Sequence, residues 1–209
     1  MNSVWQNRLI YLLAFTSGFS IMGVELLGGR ILAPYFGSSV HIWGSIITVF
    51  MLSLSIGYLL GGKLSTRQAS LTRYGIIFLI AGLLVFPIPY FANPIMEIIF
   101  VSVEDSRYGS LLASCALFLL PTIVLGMISP YSVRLLVTNK DESGQVAGVL
   151  YFVSTLGSAL GTIVTSFYLV LYFDVSQIIT TFSFILMGLG VVAISYERLS
   201  TKQVVSHAV

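Results

Sequence analysis

Charged side chains are scarce in this sequence. Asp, Glu, Lys and Arg together make 9% of its 209 residues, against 56% hydrophobic residues. That is too little charge to coat a soluble globule of this size, and a mean hydropathy of +0.97 belongs to an integral membrane protein. A single cysteine, Cys115, lies in an apolar run. It excludes an intramolecular disulfide and reads as a small core filler. No His/Cys cluster of metal-ligand spacing is present, and no nucleotide-binding glycine loop, so neither a metal nor a cofactor is expected. A net charge of +2 is too small to argue for a nucleic-acid partner.

What the chain does have is long apolar runs. Against the roughly 20 residues needed to cross a bilayer core, six spans are expected at about 9–33, 42–61, 74–92, 110–133, 146–172 and 176–196. The reading is a single all-α transmembrane domain over 1–209, with the lipid bilayer as its surroundings. Arg8 precedes the first run as in a signal peptide, but that run carries Glu25 and lacks a small-residue cleavage site, so it reads as a retained span. Arg8, Lys63, Arg67, Arg73, Arg134, Lys140, Arg198 and Lys202 fall at the N-terminus, in the second and fourth loops and in the tail, whereas only Arg30 and Arg107 fall on the other side. The positive-inside rule then makes both termini cytoplasmic, and the expected location is the inner cell membrane, multi-pass.

The most informative stretch runs from Ser17 to Gly37 and holds Glu25 inside the first span and Arg30 beyond it. A carboxylate at membrane depth costs about 2.5–3.5 kcal/mol on insertion scales, which makes Glu25 a functional-site candidate. At 100° per residue Ala14, Gly18, Ile21, Glu25 and Gly29 share one face, so Glu25 faces protein or water and not lipid. Counted from Leu9 it lies about 24 Å in, toward the outer side. Arg30 is about 140° round the helix from Glu25. A direct pair is permitted if Gly28 and Gly29 bend the helix, and is not required. His41 starts the second span near the level of Arg30, either as an interfacial ring or as part of the site.

Two stripes of small residues point to close helix packing: Ser53, Gly57 and Gly61 in the second span, and Gly157 and Gly161 in the fifth. Their recurrence hints at a three-plus-three internal repeat. Tyr151 and Ser154 in the fifth span can bond either a ligand or a neighbouring helix. Lys63 and Arg67, with Arg134 after the fourth span, are either topology signals or a cytoplasmic gate that changes partners. Pro121 and Pro130 predict kinks in the fourth span, and 94–103 reads as a short amphipathic helix on the outer interface.

Three stretches carry a resemblance: Ser17 to Gly44 with Glu25, Arg30, Pro34, Gly37, His41 and Trp43 in order, Gly57 to Leu64, and Gly148 to Gly161. They resemble the membrane domain of spermidine-synthase-like proteins, itself similar to half of a major facilitator transporter. The resemblance implies a six-helix half-facilitator bundle and a link to polyamines. The glycine-rich cofactor loop and acidic pair of the synthase half have no counterpart in these residues, so aminopropyltransferase activity is not implied. The expectation is a small transporter, a parallel homodimer moving a polyamine or related cationic amine, with Glu25 as cation or proton site and Arg30 and His41 shaping the outer path. The alternative is a non-transporting membrane anchor or scaffold for a separately encoded soluble enzyme. A membrane-embedded enzyme fits least, since one carboxylate and one histidine on separate helices are a sparse constellation.

Overall fold

The computed structural model describes residues 2–206, and the side chains of Lys140 and Lys202, counted above with the basic residues, lie outside what it describes. Every regular element among the described residues is helical. In order they are α1 (Asn2–Phe36), α2 (Val40–Ser65), α3 (Leu71–Val85), α4 (Ile88–Ser102), α5 (Ser106–Gly126), α6 (Ile128–Leu136), a 3₁₀ turn (Lys140–Glu142), α7 (Ser143–Val164), a π turn (Thr165–Leu169), α8 (Val170–Tyr172) and α9 (Val175–Ser206). Five helical stretches are long and apolar enough to cross a membrane: Val4–Phe36, Val40–Ser65, Ser106–Leu136, Ser143–Tyr172 and Val175–Ser200. The bent pair α3–α4 makes a sixth if counted as one span. The protein is an all-α, multi-pass membrane bundle.

The third span is where the boundaries differ most from expectation. The run expected over 74–92 breaks after Val85, and α4 leaves α3 at 49°. Pro87 and Pro89 account for the break, since neither has an N–H to continue the ladder of α3. The outer helix expected over 94–103 is accordingly longer, and Phe100 near its end packs edge-on against Tyr35 and Phe36 at the end of α1. In the fourth span Pro121 sits inside continuous helix, whereas the discontinuity falls at Met127, between α5 and α6, three residues before Pro130.

Three helix pairs dominate the packing: α1 with α7, α2 with α5 and its continuation α6, and α3 with α9. Numbered as spans, these are one with five, two with four and three with six. Exchanging each span with the one three places along leaves the scheme unchanged. The equivalence extends to individual residues. Gly157 and Gly161 lie against the carbonyls of Phe15 and Phe19, and Gly57 and Gly61 lie against those of Ile123 and Met127. Gly18 meets the carbonyl of Ser154, and Gly126 meets that of Leu54. One constant displacement along the chain carries Phe15, Gly18 and Phe19 onto Ile123, Gly126 and Met127; another carries Leu54, Gly57 and Gly61 onto Ser154, Gly157 and Gly161. In the third pair Gly75 meets the Gly190 carbonyl and Ile194, while Gly190 meets the Gly75 carbonyl and Leu79. Halves of three spans each are inverted with respect to one another, the arrangement of an inverted-topology repeat. The close approaches need glycine because a Cβ at these positions would collide with main chain, which cannot give way.

At the basic end the start of α3 is held by its own N-cap and by two other elements. The Ser70 hydroxyl accepts from the Arg73 N–H at 3.2 Å. The Glu197 carboxylate of α9 accepts from Leu71 at 3.2 Å and from Thr72 at 2.5 Å. The Tyr131 hydroxyl of α6 accepts from the Ser70 N–H at 3.1 Å. Every early N–H of α3 that lacks a helical acceptor thereby finds one. Behind this cap Tyr74 stacks on Tyr131 with ring centroids 5.8 Å apart and hydrogen-bonds the buried Ser132 hydroxyl at 2.5 Å.

Candidate functional site

A cavity of about 350 Å³ opens among spans one, two, four and five. Its lining follows the internal repeat: Ser17, Gly18, Ile21 and Met22 of α1 are matched by Leu125, Gly126, Ser129 and Pro130 of α5 and α6, and Leu54 and Tyr58 of α2 by Ser154 and Ser158 of α7. Tyr151 and Thr155 complete the α7 wall. The cavity therefore straddles the relation between the halves. That is the place where two inverted repeats leave polar groups from both facing one space.

The polar groups are hydroxyls and one main-chain carbonyl. Pro130 has no N–H to offer the carbonyl of Gly126, four residues earlier, and Gly126 lines the cavity. A carbonyl freed in this way is tolerated at membrane depth where side chains, water or a ligand can satisfy it. The hydroxyls of Ser17, Ser129, Ser154, Ser158, Thr155, Tyr58 and Tyr151 lie on the same walls. Ser158 is already engaged, donating to the Ser154 carbonyl at 3.2 Å.

Glu25 follows the lining residues Ile21 and Met22 by one helical turn on the same face of α1. It is half-buried, and among the described residues its carboxylate has no hydrogen bond or ion pair. Tyr151 and Ser154 thus fall in the cavity, whereas Glu25 lies outside its lining, nearer the level where Gly23 meets Thr165. Arg30 and His41 do not join them. Arg30 is exposed and lines a different cleft, with Asp174. The five-residue spacing keeps its turn of α1 aimed away from Glu25, because α1 runs unbroken through Gly28 and Gly29; the Gly29 position is filled by the Trp43 ring. The His41 ring hydrogen-bonds the Ser39 hydroxyl, 2.9 Å from Nδ1, and its field reaches Asp105. Asp105 caps α5 and forms a 2.7 Å ion pair with Arg107, which holds its carboxyl down to about 2, well below the ordinary range.

Lys63, Arg67 and Arg134 are exposed at the basic end, and among the described residues none of them forms an ion pair. The Arg67 carbonyl instead accepts from the Arg73 guanidinium, which also donates to the Gln68 carbonyl at 3.2 Å. The residues that tie this end together are Tyr131, Ser70 and Glu197. Ser70 carried a readable signal, a hydroxyl just before an apolar run. Glu197 carried a weaker one, an acidic residue at the end of an apolar span. Ser17, Tyr58 and Ser129 had none, because which face of each helix meets the cavity is settled by the pairing of spans. Among the described residues no three His, Cys, Asp or Glu side chains gather closely enough to hold a metal ion.

Comparisons with family models, with curated proteins and with solved structures find no match to this chain.

Proposed function

We propose that this protein is a half-transporter. Two copies assemble in parallel, cavity to cavity, and move a small cationic amine across the membrane, with polyamines as the leading substrate class. The observation that carries the reading is the cavity itself: lined with hydroxyls, formed by both halves of an internal repeat, and one helical turn along α1 from Glu25, whose carboxylate has no partner among the described residues. A cation leaving water needs a countercharge and oxygen ligands; an extended polyamine can take the oxygen ligands from Tyr151 and Ser154 in the cavity and the countercharge from Glu25 beyond it. Spans three and six lie outside this cavity, so its open side is available to a second copy, and a parallel pair sums to twelve spans without an inverted partner. The resemblance of three stretches to the membrane domain of spermidine-synthase-like proteins favours amines over other cations. The glycine-backed pairs α1–α7 and α2–α5 are smooth surfaces along which the helices can slide during alternating access.

The test is radiolabelled spermidine flux into proteoliposomes containing wild type or Glu25→Gln, with and without a pH gradient, after the oligomeric mass in detergent has been fixed. Saturable flux that is lost in a folded Glu25→Gln dimer supports the proposal. Flux and pH dependence untouched by the substitution remove Glu25 from the mechanism. Absence of flux from a well-folded dimer, with a soluble aminopropyltransferase copurifying, replaces transport with the anchor role.

A further inference from the structure

A second cleft, of about 360 Å³, opens at the end of the bundle away from the basic loops, between α1, α4 and the turn that enters α9. Its polar lining is Arg30, Asn93, Asp174 and Ser176, and Pro34 and Pro89 are among its apolar walls. Two opposite charges line one space and do not meet: Arg30 and Asp174 form no ion pair, and among the described residues neither side chain has a hydrogen bond. Both are exposed and lie close to the ends of apolar spans, Arg30 six residues before the end of α1 and Asp174 directly before α9. Charged side chains near the ends of spans reach the membrane interface.

We infer that this cleft binds a zwitterion that carries a phosphate and a primary ammonium on one short linker, the phosphoethanolamine group. The guanidinium of Arg30 presents paired N–H donors to the phosphate oxygens. The carboxylate of Asp174 accepts from the ammonium, with the Asn93 amide and the Ser176 hydroxyl as further acceptors. A trimethylammonium group would be a poor occupant. It has no N–H to donate and is recognised by aromatic faces, and among the described residues no aromatic side chain lines the cleft. An anion without an ammonium would leave Asp174 as an uncompensated like charge. The same chemistry is offered by a phosphatidylethanolamine headgroup at the membrane surface and by free phosphoethanolamine in solution. The inference is independent of the transport reading, since neither Glu25 nor the central cavity takes part.

The experiment is native mass spectrometry of the purified protein, reading lipid adducts after titration with phosphatidylethanolamine, phosphatidylcholine or phosphatidylglycerol of matched acyl chains. Wild type, Arg30→Gln, Asp174→Asn and the charge exchange Arg30→Asp with Asp174→Arg are compared, each first checked for wild-type elution and melting without added lipid. The expected result is a preference for phosphatidylethanolamine over phosphatidylcholine of about tenfold, the scale of one charge-assisted hydrogen bond. Arg30→Gln should weaken the ethanolamine and glycerol lipids alike, while Asp174→Asn should abolish the preference for ethanolamine and leave phosphatidylglycerol binding equal or stronger. The charge exchange should restore part of the preference lost in the single variants. Free phosphoethanolamine competing at millimolar concentration assigns the site to a soluble ligand, and its failure to compete while the lipid binds assigns the site to the headgroup. Equal binding of the ethanolamine and choline lipids, or an ethanolamine preference that survives Asp174→Asn, overturns the inference.

Discussion

Gly57 and Gly157 make the same contact in the two halves of the molecule: one lies against the carbonyl of Ile123, the other against the carbonyl of Phe15. Each opens a path for two helices to approach to main-chain distance, and each is followed four residues later by a second glycine, Gly61 or Gly161, that repeats the contact one turn on. Lipid gives helices no hydrophobic reason to associate, so this close packing is the principal attraction between the helices of each pair.

Substitution at these positions should therefore be severe and symmetric. Gly57→Leu and Gly157→Leu must each displace a carbonyl of the facing helix, and overpacking of that kind costs about 1–3 kcal/mol or more. Gly62→Ala and Gly148→Ala place a methyl where nothing lies within 4 Å and should change little. Melting temperature and monodispersity in one detergent separate the two classes. Comparable melting of Gly57→Leu and wild type would show that the α2–α5 approach is not needed.

The glycine pairs also mark how far the sequence could be read. Apolar run length located the spans, because a bilayer sets that length directly. Small-residue spacing identified the packing stripes of α2 and α7, but not their partners, since Phe15 and Ile123 contribute carbonyls and any side chain serves there. Once the pairs are known, Gly18 and Gly126 become visible as matched positions. Tyr151 and Ser154 were legible as polar groups on a packing helix, and Glu25 as an ionisable residue within a span. The grouping of Arg30 with Asp174 was not legible, because 144 residues of chain separate them and no periodicity connects the end of α1 to the turn before α9.

The hydroxyls of Tyr131 and Tyr74 differ in what their removal leaves behind. Tyr131→Phe strands the Ser70 N–H, a main-chain donor at the start of α3. An orphaned donor costs about 1–3 kcal/mol. Tyr74→Phe leaves Ser132 still donating to the Ile128 carbonyl at 2.7 Å, so nothing is stranded and the loss should be about 1 kcal/mol. Thermal unfolding should rank Tyr131→Phe as the less stable variant.

Glu197 brings charge as well as oxygen atoms to the first turn of α3. Glu197→Gln retains an acceptor for one of Leu71 and Thr72 and loses the attraction to the helix dipole, a change of about 0.3–1 kcal/mol, whereas Glu197→Ala removes the acceptors outright and should cost about 1–2 kcal/mol. Hydrogen exchange at Leu71 and Thr72 should quicken in the alanine variant. Unchanged exchange there would mean that α3 finds another cap.

Asp105 sets an acid limit on the start of α5. Its carboxyl is held near 2 in the folded protein against an ordinary value of 3.8, so the contribution of its charged form is complete above about pH 4 and is lost as pH falls toward 2. The sign follows from the folded form binding its proton less readily than the unfolded chain. Asp105→Asn keeps a cap oxygen for the Arg107 N–H and loses the ion pair. Wild type should exceed this variant slightly in melting temperature at neutral pH, and the gap should close on acidification and narrow with added salt, because the pair is exposed.

The cavity hydroxyls give the sharpest division between a transport site and a packing feature. If Tyr151 and Ser154 bind the ammonium of a substrate, Tyr151→Phe and Ser154→Ala each remove one hydrogen bond to a charged group, and substrate affinity should fall about 10- to 100-fold. Neither side-chain hydroxyl has a hydrogen-bond partner among the described residues, so folding should be nearly indifferent to its loss. Gly157, which lies on α7 three residues after Ser154, provides the contrast, because its substitution should lower stability and flux together. Binding of labelled spermidine to purified protein, measured beside melting temperature, separates these outcomes. A large loss of binding in Tyr151→Phe at unchanged melting places the hydroxyl on the ligand. Unchanged binding in both variants removes these two hydroxyls from recognition and leaves it to Glu25, the main-chain carbonyl freed by Pro130 and the other hydroxyls of the cavity.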